Sequence, residues 1–186
     1  KQGYAVAAEA ASRGADVTLI STVELAVPAG VRVVNVETAA QMQAAIDAVW
    51  ATSDVMVMSA AVADFRPVSC ATQKIKKDGG IPQIVLEATP DILAGLGASK
   101  RPDQVLVGFA AETSDLVANA QSKLERKNLD LIVANDVSQP GVGFAHDTNA
   151  VTFLRPSQAL ESVSLTDKRA VARTLLDIVV QIRASQ

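Results

Sequence analysis

The chain has 186 residues with a formal net charge of −3, and 49% of them are hydrophobic while only 3% are aromatic. This length suffices for one domain with a substantial core, and an aliphatic, alanine-rich composition is typical of an α/β domain. The negative net charge excludes a global basic field for binding nucleic acid or an anionic membrane, and no apolar run reaches the roughly 20 residues that cross a bilayer. The single cysteine excludes an intrachain disulfide, and a single cysteine with a single histidine argues against a metal cluster.

The first half of the chain alternates helical and extended patterns. The predicted elements are a helix at 3–11, strands at 16–21 and 31–36, a helix capped by Thr38 that runs to Trp50, and a strand at 55–58. Since a helix opens the series, we expect a first strand and its loop to precede Lys1. No secretory signal is visible, so we expect a cytoplasmic protein.

The second half continues the alternation after an irregular stretch at 66–88. The predicted elements are a short strand at 84–86, a helix at 89–99 with Thr89 as its cap, a strand at 105–109, a helix at 115–127, a strand at 129–134, a hairpin of 150–154 with 162–165, and a closing helix at 167–185. This order predicts a three-layer, Rossmann-like, doubly wound α/β fold with a mostly parallel sheet. In such sheets ligands bind beyond the carboxyl ends of the strands, so the residues after each strand are the candidates for function.

Two polar features follow the strand at 55–58. Asp64 comes just after a run of small residues, and it either holds a magnesium ion on phosphates or satisfies amides in a turn. Lys74 and Lys76 lie on one face if their segment is extended. They either bind a triphosphate over the strand ends or belong to a solvated basic loop.

Three further features follow later strands. The helix start at 89–91 presents N–H groups that favour phosphate, although Asp91 would stabilise such an end without a ligand. Phe109 either packs on a base or belongs to the core. Lys123 and Lys127 lie four residues apart on one helix face, where they either form a second basic cluster of a site or complement the helix dipole.

Asn135 follows the strand at 129–134 and either orients a polar substrate or forms a turn. The dinucleotide fingerprint G-x-G-x-x-G and the P-loop motif are both absent from the sequence. A Ser–His or Cys–His catalytic arrangement would have to use His146, and nothing places that residue near a nucleophile.

Taken in order, the short motifs form one pattern that closely resembles bacterial phosphopantothenoylcysteine synthetase, the phosphopantothenate–cysteine ligase. The resemblance covers essentially the whole chain and rests on linked segments: Ala60-Ala61-Val62-Ala63-Asp64, Lys74-Ile75-Lys76-Lys77, Pro90-Asp91-Ile92-Leu93, Gly108-Phe109-Ala110-Ala111-Glu112-Thr113, Lys127-Asn128-Leu129-Asp130-Leu131-Ile132 and Ala134-Asn135-Asp136-Val137-Ser138.

The resemblance implies an activity. In that family the carboxylate of 4'-phosphopantothenate displaces pyrophosphate from CTP and forms an acyl-cytidylate. The amine of L-cysteine then displaces CMP and leaves an amide, in coenzyme A biosynthesis. Two anions must meet in the first step, so cations and amide dipoles have to offset their repulsion.

The resemblance also implies a set of site residues. Carried over position by position, the CTP site falls on Met58, Ser59, Ala60, Asp64, Lys74, Pro90, Asp91, Ile92, Leu93, Phe109, Lys123 and Lys127. Lys74 is expected to act in the activation step and Asp64 to lie near the phosphates and their Mg²⁺, while Asn135 is the second candidate catalytic residue. Residues 1–186 would form a single CTP-binding ligase domain that lacks the family's upstream strand, its Gly/Ser-rich loop and an asparagine important for the second half-reaction.

The family's example further implies a homodimer, with the predicted hairpin as its interface, and a flavin-dependent decarboxylase domain fused upstream. No nucleic acid or membrane partner is expected. Two alternatives stay open: a Rossmann-type NAD(P)-dependent oxidoreductase whose fingerprint precedes Lys1, and a non-catalytic nucleotide-binding or assembly domain.

Overall fold

The computed structural model describes residues 1–76, 81–112, 115–138, 142 and 146–186. The helices are α1 (Gln2–Ser12), α2 (Ala39–Trp50), α3 (Ile92–Ser99), α4 (Leu116–Arg126) and α5 (Lys168–Ala184). The strands are β1 (Val17–Ser21), β2 (Val31–Asn35), β3 (Val55–Met58), β4 (Phe65–Pro67), β5 (Leu86–Ala88), β6 (Val105–Glu112), β7 (Leu131–Asp136), β8 (Thr148–Leu154) and β9 (Glu161–Asp167).

The central sheet has five strands in the order β3-β6-β7-β8-β9. The first three are parallel, whereas β8 and β9 are antiparallel to their neighbours and form the predicted hairpin. Two smaller sheets accompany it, the parallel pair β1-β2 and the antiparallel ribbon β4-β5. The expected α/β fold is confirmed, and its main sheet is mixed because the hairpin adds two antiparallel strands to a parallel half.

The core lies on both faces of this sheet because neighbouring residues of a strand point to opposite sides. On β6, Leu106 faces the cluster that α2, α3 and α4 cover, whereas Val107 faces the cluster that α1 and α5 cover. Both valine and leucine are fully buried. Helices on two faces of one sheet give the three layers that the alternation of elements predicted.

The start of α3 differs from the sequence-based prediction. Its N-cap is Asp91, whose side chain accepts a hydrogen bond of 3.0 Å from the amide of Ala94. The predicted cap, Thr89, instead donates its backbone N–H to the carbonyl of Asp64 at 2.8 Å. Pro90 therefore precedes the helix, because the carboxylate one residue later satisfies the N-terminal amide.

The segment between β4 and β5 also corrects an expectation. Residues 69–76 form no strand, so Lys74 and Lys76 are exposed side chains of a loop without the shared face that an extended segment would give them. The predicted strand at 84–86 begins later, as β5, and pairs with β4. Lys77 lies outside the described residues. Within the described part of the chain, no helix is both long and apolar enough to span a membrane.

Candidate active site

A cleft of about 200 Å³ opens at the carboxyl edge of the parallel strands. Three segments form its walls: the stretch after β3, the lead into α3, and the end of α4 with one side chain from β6. Its lining residues are Met58, Ala60, Ala61, Val62, Ala63, Asp64, Thr89, Pro90, Asp91, Ile92, Leu93, Phe109 and Lys127. Nine of the twelve residues expected to contact the nucleotide are among them; Ser59, Lys74 and Lys123 are not.

The stretch after β3 forms one wall. Parallel pairing of Met58 with Gly108 places the end of β3 beside the middle of β6, so the chain leaves the sheet at the edge where ligands bind in this class of fold. Val62 packs against the core, and Asp64 is exposed at the rim. The bond from the Thr89 amide to the Asp64 carbonyl joins this wall to the next one.

The start of α3 forms the second wall and carries a compact ion pair. The ammonium group of Lys127 lies 2.8 Å from Oδ2 and 3.1 Å from Oδ1 of Asp91. Asp91 thus holds two groups at once, since its Oδ1 also accepts the Ala94 amide. The N-terminus of α3, which is the positive end of its helix dipole, thus lies beside Lys127 in one cleft.

The charge state of Asp91 follows from these contacts. Burial opposes ionisation of its carboxyl group, but the hydrogen bonds from Lys127 and from the Ala94 amide outweigh burial and hold the pKa of Asp91 below its ordinary value. Asp91 is therefore a carboxylate near neutral pH, paired with the Lys127 ammonium group.

Lys123, the lysine within α4 itself, has a different partner. Lys123 donates to Oε1 of Glu112 at 2.6 Å, and Oε2 of the same carboxylate accepts a hydrogen bond of 3.2 Å from Asn119. Lys123 thus lies one helical turn from Lys127 but outside the cleft lining. Glu112 was not among the predicted site residues, although it belongs to the motif at 108–113 that supports the resemblance.

Phe109 and Asn135 lie on the face of the sheet that α1 and α5 cover. Phe109 packs against that core cluster, as one interpretation of the sequence expected, and it also lines the cleft. Its contact with a base stays a prediction. Asn135 is only 7% exposed, pairs with Ala111 of β6, and follows Val133 on the same face. It lies near the carboxyl edge, but the cleft described above does not include it.

Ser59 lies at the end of β3, close to α1. A Cβ atom added to Gly3 would lie 2.8 Å from the Ser59 hydroxyl, so a larger residue there would require this hydroxyl to move. Lys74 is exposed in the loop between β4 and β5 and is not among the residues that line the cleft.

Lys168 is a buried polar group that the sequence did not single out. It is 7% exposed at the start of α5, where its ammonium group donates to the carbonyl of His146 at 2.5 Å. Burial and the nearby Lys1 lower its pKa. The side-chain amide of Gln2 in α1 donates to the Lys168 carbonyl at 3.0 Å, which ties the starts of both helices together. The sequence does not indicate that Lys168 is buried, because a lysine in the first turn of a helix is usually expected to be exposed to solvent.

A divalent cation would have few protein ligands here. Among the described residues, no group of three or more acidic, histidine or cysteine side chains could hold a metal ion. Asp64, exposed at the rim of the cleft, fits the mode in which Mg²⁺ takes one or two carboxylates and completes its shell with water and phosphate oxygens.

A second hollow, of about 440 Å³, lies at the carboxyl ends of β1 and β2. Among the described residues, its lining contains Glu24 and Glu37 with uncharged residues and no lysine or arginine. Its charge is unsuited to a triphosphate, so the cleft that contains Lys127 is the better candidate.

Comparisons with known proteins identify the family of the chain. A family model described as "DNA/pantothenate metabolism flavoprotein C-terminal domain" matches residues 1–182. The chain is 44% identical over 184 residues to the "Coenzyme A biosynthesis bifunctional protein CoaBC" of Escherichia coli (strain K12), covering 97% of this chain and 45% of that protein. It is 41% identical over 178 residues to a "Cysteine/Cysteine sulfinic acid decarboxylase" from an unknown prokaryotic organism, covering 95% of this chain and 50% of that protein.

A solved structure gives the same result. The C-terminal domain of the coenzyme A biosynthesis bifunctional protein CoaBC superposes with a TM-score of 0.83 at 35% identity, covering 100% of this chain and 83% of that one. The chain spans about half the length of the curated relatives it matches.

Proposed function

The chain belongs to the family of the DNA/pantothenate metabolism flavoprotein C-terminal domain, and on that premise we propose that it joins 4'-phosphopantothenate to L-cysteine at the expense of CTP. One structural observation carries the proposal. Nine of the twelve residues that the resemblance assigns to the nucleotide site line a single cleft, in which the N-terminus of α3 lies beside Lys127. The name of the Escherichia coli relative places that protein in coenzyme A biosynthesis, which supports the same reaction.

The first half-reaction needs positive charge. A carboxylate oxygen of phosphopantothenate attacks the α-phosphorus of CTP, the bond to the β-phosphate oxygen breaks, and pyrophosphate leaves with that electron pair. Both reactants are anions, so the ammonium group of Lys127 and the amides at the start of α3 would offset their repulsion. Lys74 would add its charge at the reacting phosphorus, a role that rests on the resemblance.

The second half-reaction uses the acyl-cytidylate. The cysteine amine attacks its acyl carbon, the bond to the phosphate oxygen breaks, and CMP leaves while the nitrogen loses a proton. Asn135, at the carboxyl edge on the face toward α1 and α5, is our candidate for orienting a polar substrate in this step.

Mg²⁺ would neutralise the leaving pyrophosphate when it is bound with CTP. Asp64 is the residue we assign to hold it, because its exposed carboxylate lies at the rim of the cleft that Lys127 and the start of α3 line. Preference for CTP over ATP comes from the resemblance, as does the location in the cytoplasm.

We propose two structural partners. The first is a flavin-dependent decarboxylase domain upstream, in line with the half-length coverage of both curated relatives and with the decarboxylase name of one of them. The second is another copy of the chain. Strand β9 is the edge of the central sheet and exposes Leu165, and an exposed strand edge is a template for pairing.

The oxidoreductase alternative has no support from the relatives named above, whose names refer to coenzyme A biosynthesis and decarboxylation. Catalytic turnover distinguishes a ligase from a non-catalytic nucleotide-binding domain, because only the ligase converts its substrates. The test is pyrophosphate release from CTP and phosphopantothenate without cysteine, in protein that carries the family's upstream strand and loop. We expect release without cysteine and the amide product with it. CTP binding without any release would contradict the ligase proposal and favour the binding domain.

A further inference from the structure

Helix α3 touches the end of α4 at one glycine. A Cβ atom added to Gly97 would lie 1.9 Å from the backbone oxygen of Lys127 and 2.9 Å from its carbonyl carbon. Carbon and oxygen atoms that are not bonded need about 3 Å or more, so any other residue at this position would push the two helices apart. Gly97 is buried in the described structure.

The residue after Lys127 closes the same contact from the other side. Asn128 has a left-handed backbone, with φ of 51°, and its side-chain amide donates to the carbonyl of Gly97 at 2.8 Å. The amide of Asn128 bonds to the Glu125 carbonyl and the amide of Leu129 to the Leu124 carbonyl, which is the Schellman arrangement at a helix end. Asparagine suits this position since it tolerates the left-handed region and supplies a donor.

These contacts determine where Lys127 lies. Its carbonyl rests against Gly97 near the last turn of α3, while its ammonium group reaches Asp91 at the first turn of the same helix. Lys127 is thus attached to both ends of α3. Its side chain is only 19% exposed, so it cannot easily follow a ligand if the backbone is displaced.

We propose that Gly97 and Asn128, through this α3–α4 contact, are positioning residues that set the place of Lys127 in the nucleotide site. This positioning role rests on the proposed function. It adds to that function the contacts that align Lys127 with the amides at the start of α3. Neither Gly97 nor Asn128 is among the residues that line the cleft, so both act through Lys127. A shift of about 1 Å in a group that binds the reacting phosphates is enough to matter, since misplacement on that scale costs up to about 10²-fold in rate.

The test compares two glycines of the same helix. Gly97→Ala introduces the clash, whereas Gly95→Ala adds a methyl group that meets nothing within 4 Å. We expect Gly97→Ala to weaken binding of CTP–Mg, measured by titration calorimetry, roughly 10- to 100-fold, the range for loss of one hydrogen bond to a charged group. Gly95→Ala should bind within about twofold of the original chain.

A second variant guards against failure to fold. Asn128→Gly keeps the left-handed backbone without strain and removes only the bond to Gly97, so it should fold and still bind CTP–Mg several-fold more weakly. If Gly97→Ala does not fold, this variant decides the matter. Normal affinity in Asn128→Gly would then overturn the inference.

A double-mutant cycle shows whether the effect passes through Lys127. In a Lys127→Gln background, Gly97→Ala and Asn128→Gly should change CTP–Mg affinity by less than about twofold. Equal losses in both backgrounds would mean a structural role without Lys127 and would overturn the inference. If the unmutated chain does not bind CTP–Mg at all, the proposed function itself is contradicted; binding that neither variant weakens contradicts only the positioning role.

Discussion

Asp91 is the residue on which the cleft's local structure depends most. It caps α3 through the Ala94 amide and pairs with Lys127, and these two contacts hold its pKa below the ordinary value despite partial burial. Both contacts are stronger with the carboxylate form, so protonation weakens the helix start and the ion pair together.

Asp91→Asn should therefore change how stability depends on pH. A depressed pKa stabilises the fold above the unfolded value of about 4, and this contribution is lost as pH falls through the lower folded value. We expect the original chain to be more stable than Asp91→Asn near pH 7 and the difference to shrink toward about pH 3. The effect is modest because the side chain is 49% exposed and water screens the pair.

Urea unfolding at both pH values measures this difference. The matched comparison is Asp91→Asn in a Lys127→Gln background, where the effect at neutral pH should be smaller because the partner charge is gone. An unchanged difference between neutral and acid conditions would show that Asp91 does not carry the pH dependence assigned to it.

Lys74 tests the activation step. If its charge stabilises the developing pentavalent phosphorus more than the ground state, Lys74→Gln should lower the rate of pyrophosphate release without cysteine by about 10²–10³ while leaving the fold intact. The structure provides a matched control in Lys76, which is exposed in the same loop. Lys76→Gln should do much less, and we expect the same of Lys77→Gln. Release at the original rate in Lys74→Gln would remove Lys74 from this step without excluding the ligase.

Sequence reasoning at the residue scale located the cleft's walls but not all of their contacts. The segment at 90–93 was singled out with a predicted helix start and Lys127 as one of two lysines on a predicted helix face, and the resemblance assigned both to the nucleotide site. Asp91 and Lys127 are 36 residues apart in the chain, and the pattern of residues within one short segment cannot show that two such distant residues form an ion pair. For the same reason the partner of Lys123, Glu112, was not identified as a site residue.

At the scale of elements, helix α3 illustrates how a boundary is decided. Thr89 followed by proline resembles a helix start, yet the Thr89 amide is already engaged by the Asp64 carbonyl. The cap is Asp91 instead, because its carboxylate accepts the Ala94 amide, and Thr89 and Pro90 become part of the wall of the cleft. In contrast, α2 begins at its predicted cap, because Thr38 and Gln41 satisfy each other's backbone amides locally.

Strand β9 carries the prediction about assembly. It is paired on one side only, with β8, and Leu165 is 53% exposed on it. If two copies join through this edge, Leu165→Lys should shift the chain from dimer to monomer at micromolar concentration, because charge blocks edge pairing. Sedimentation velocity measures the change.

Val180 on α5 provides the control, since it is similarly exposed and apolar but lies on a helix. Val180→Lys should leave the dimer unchanged. If unsubstituted protein that includes the family's upstream strand and loop sediments only as a monomer, the proposed interface at β9 is refuted.

At the scale of the whole molecule, the order of elements predicted the layers but not the arrangement of the sheets. Alternating strands and helices of ordinary length permit few architectures, which is why the three-layer α/β fold could be inferred. The separate pairing of β1 with β2, and the ribbon of β4 with β5, depend on contacts between distant segments that composition and periodicity do not encode.

Binding of CTP with magnesium in the cleft beside α3 and Lys127 underlies the proposed ligase activity. It can be measured by thermal unfolding of the chain with CTP–Mg, ATP–Mg and NADPH. A ligand at about 100 times its dissociation constant stabilises the fold by about 2.7 kcal/mol, which corresponds to a shift of roughly 5–11 °C for a chain of this size. We predict that shift with CTP–Mg, a smaller one with ATP–Mg and none with NADPH. A shift with NADPH and none with CTP–Mg would contradict the account.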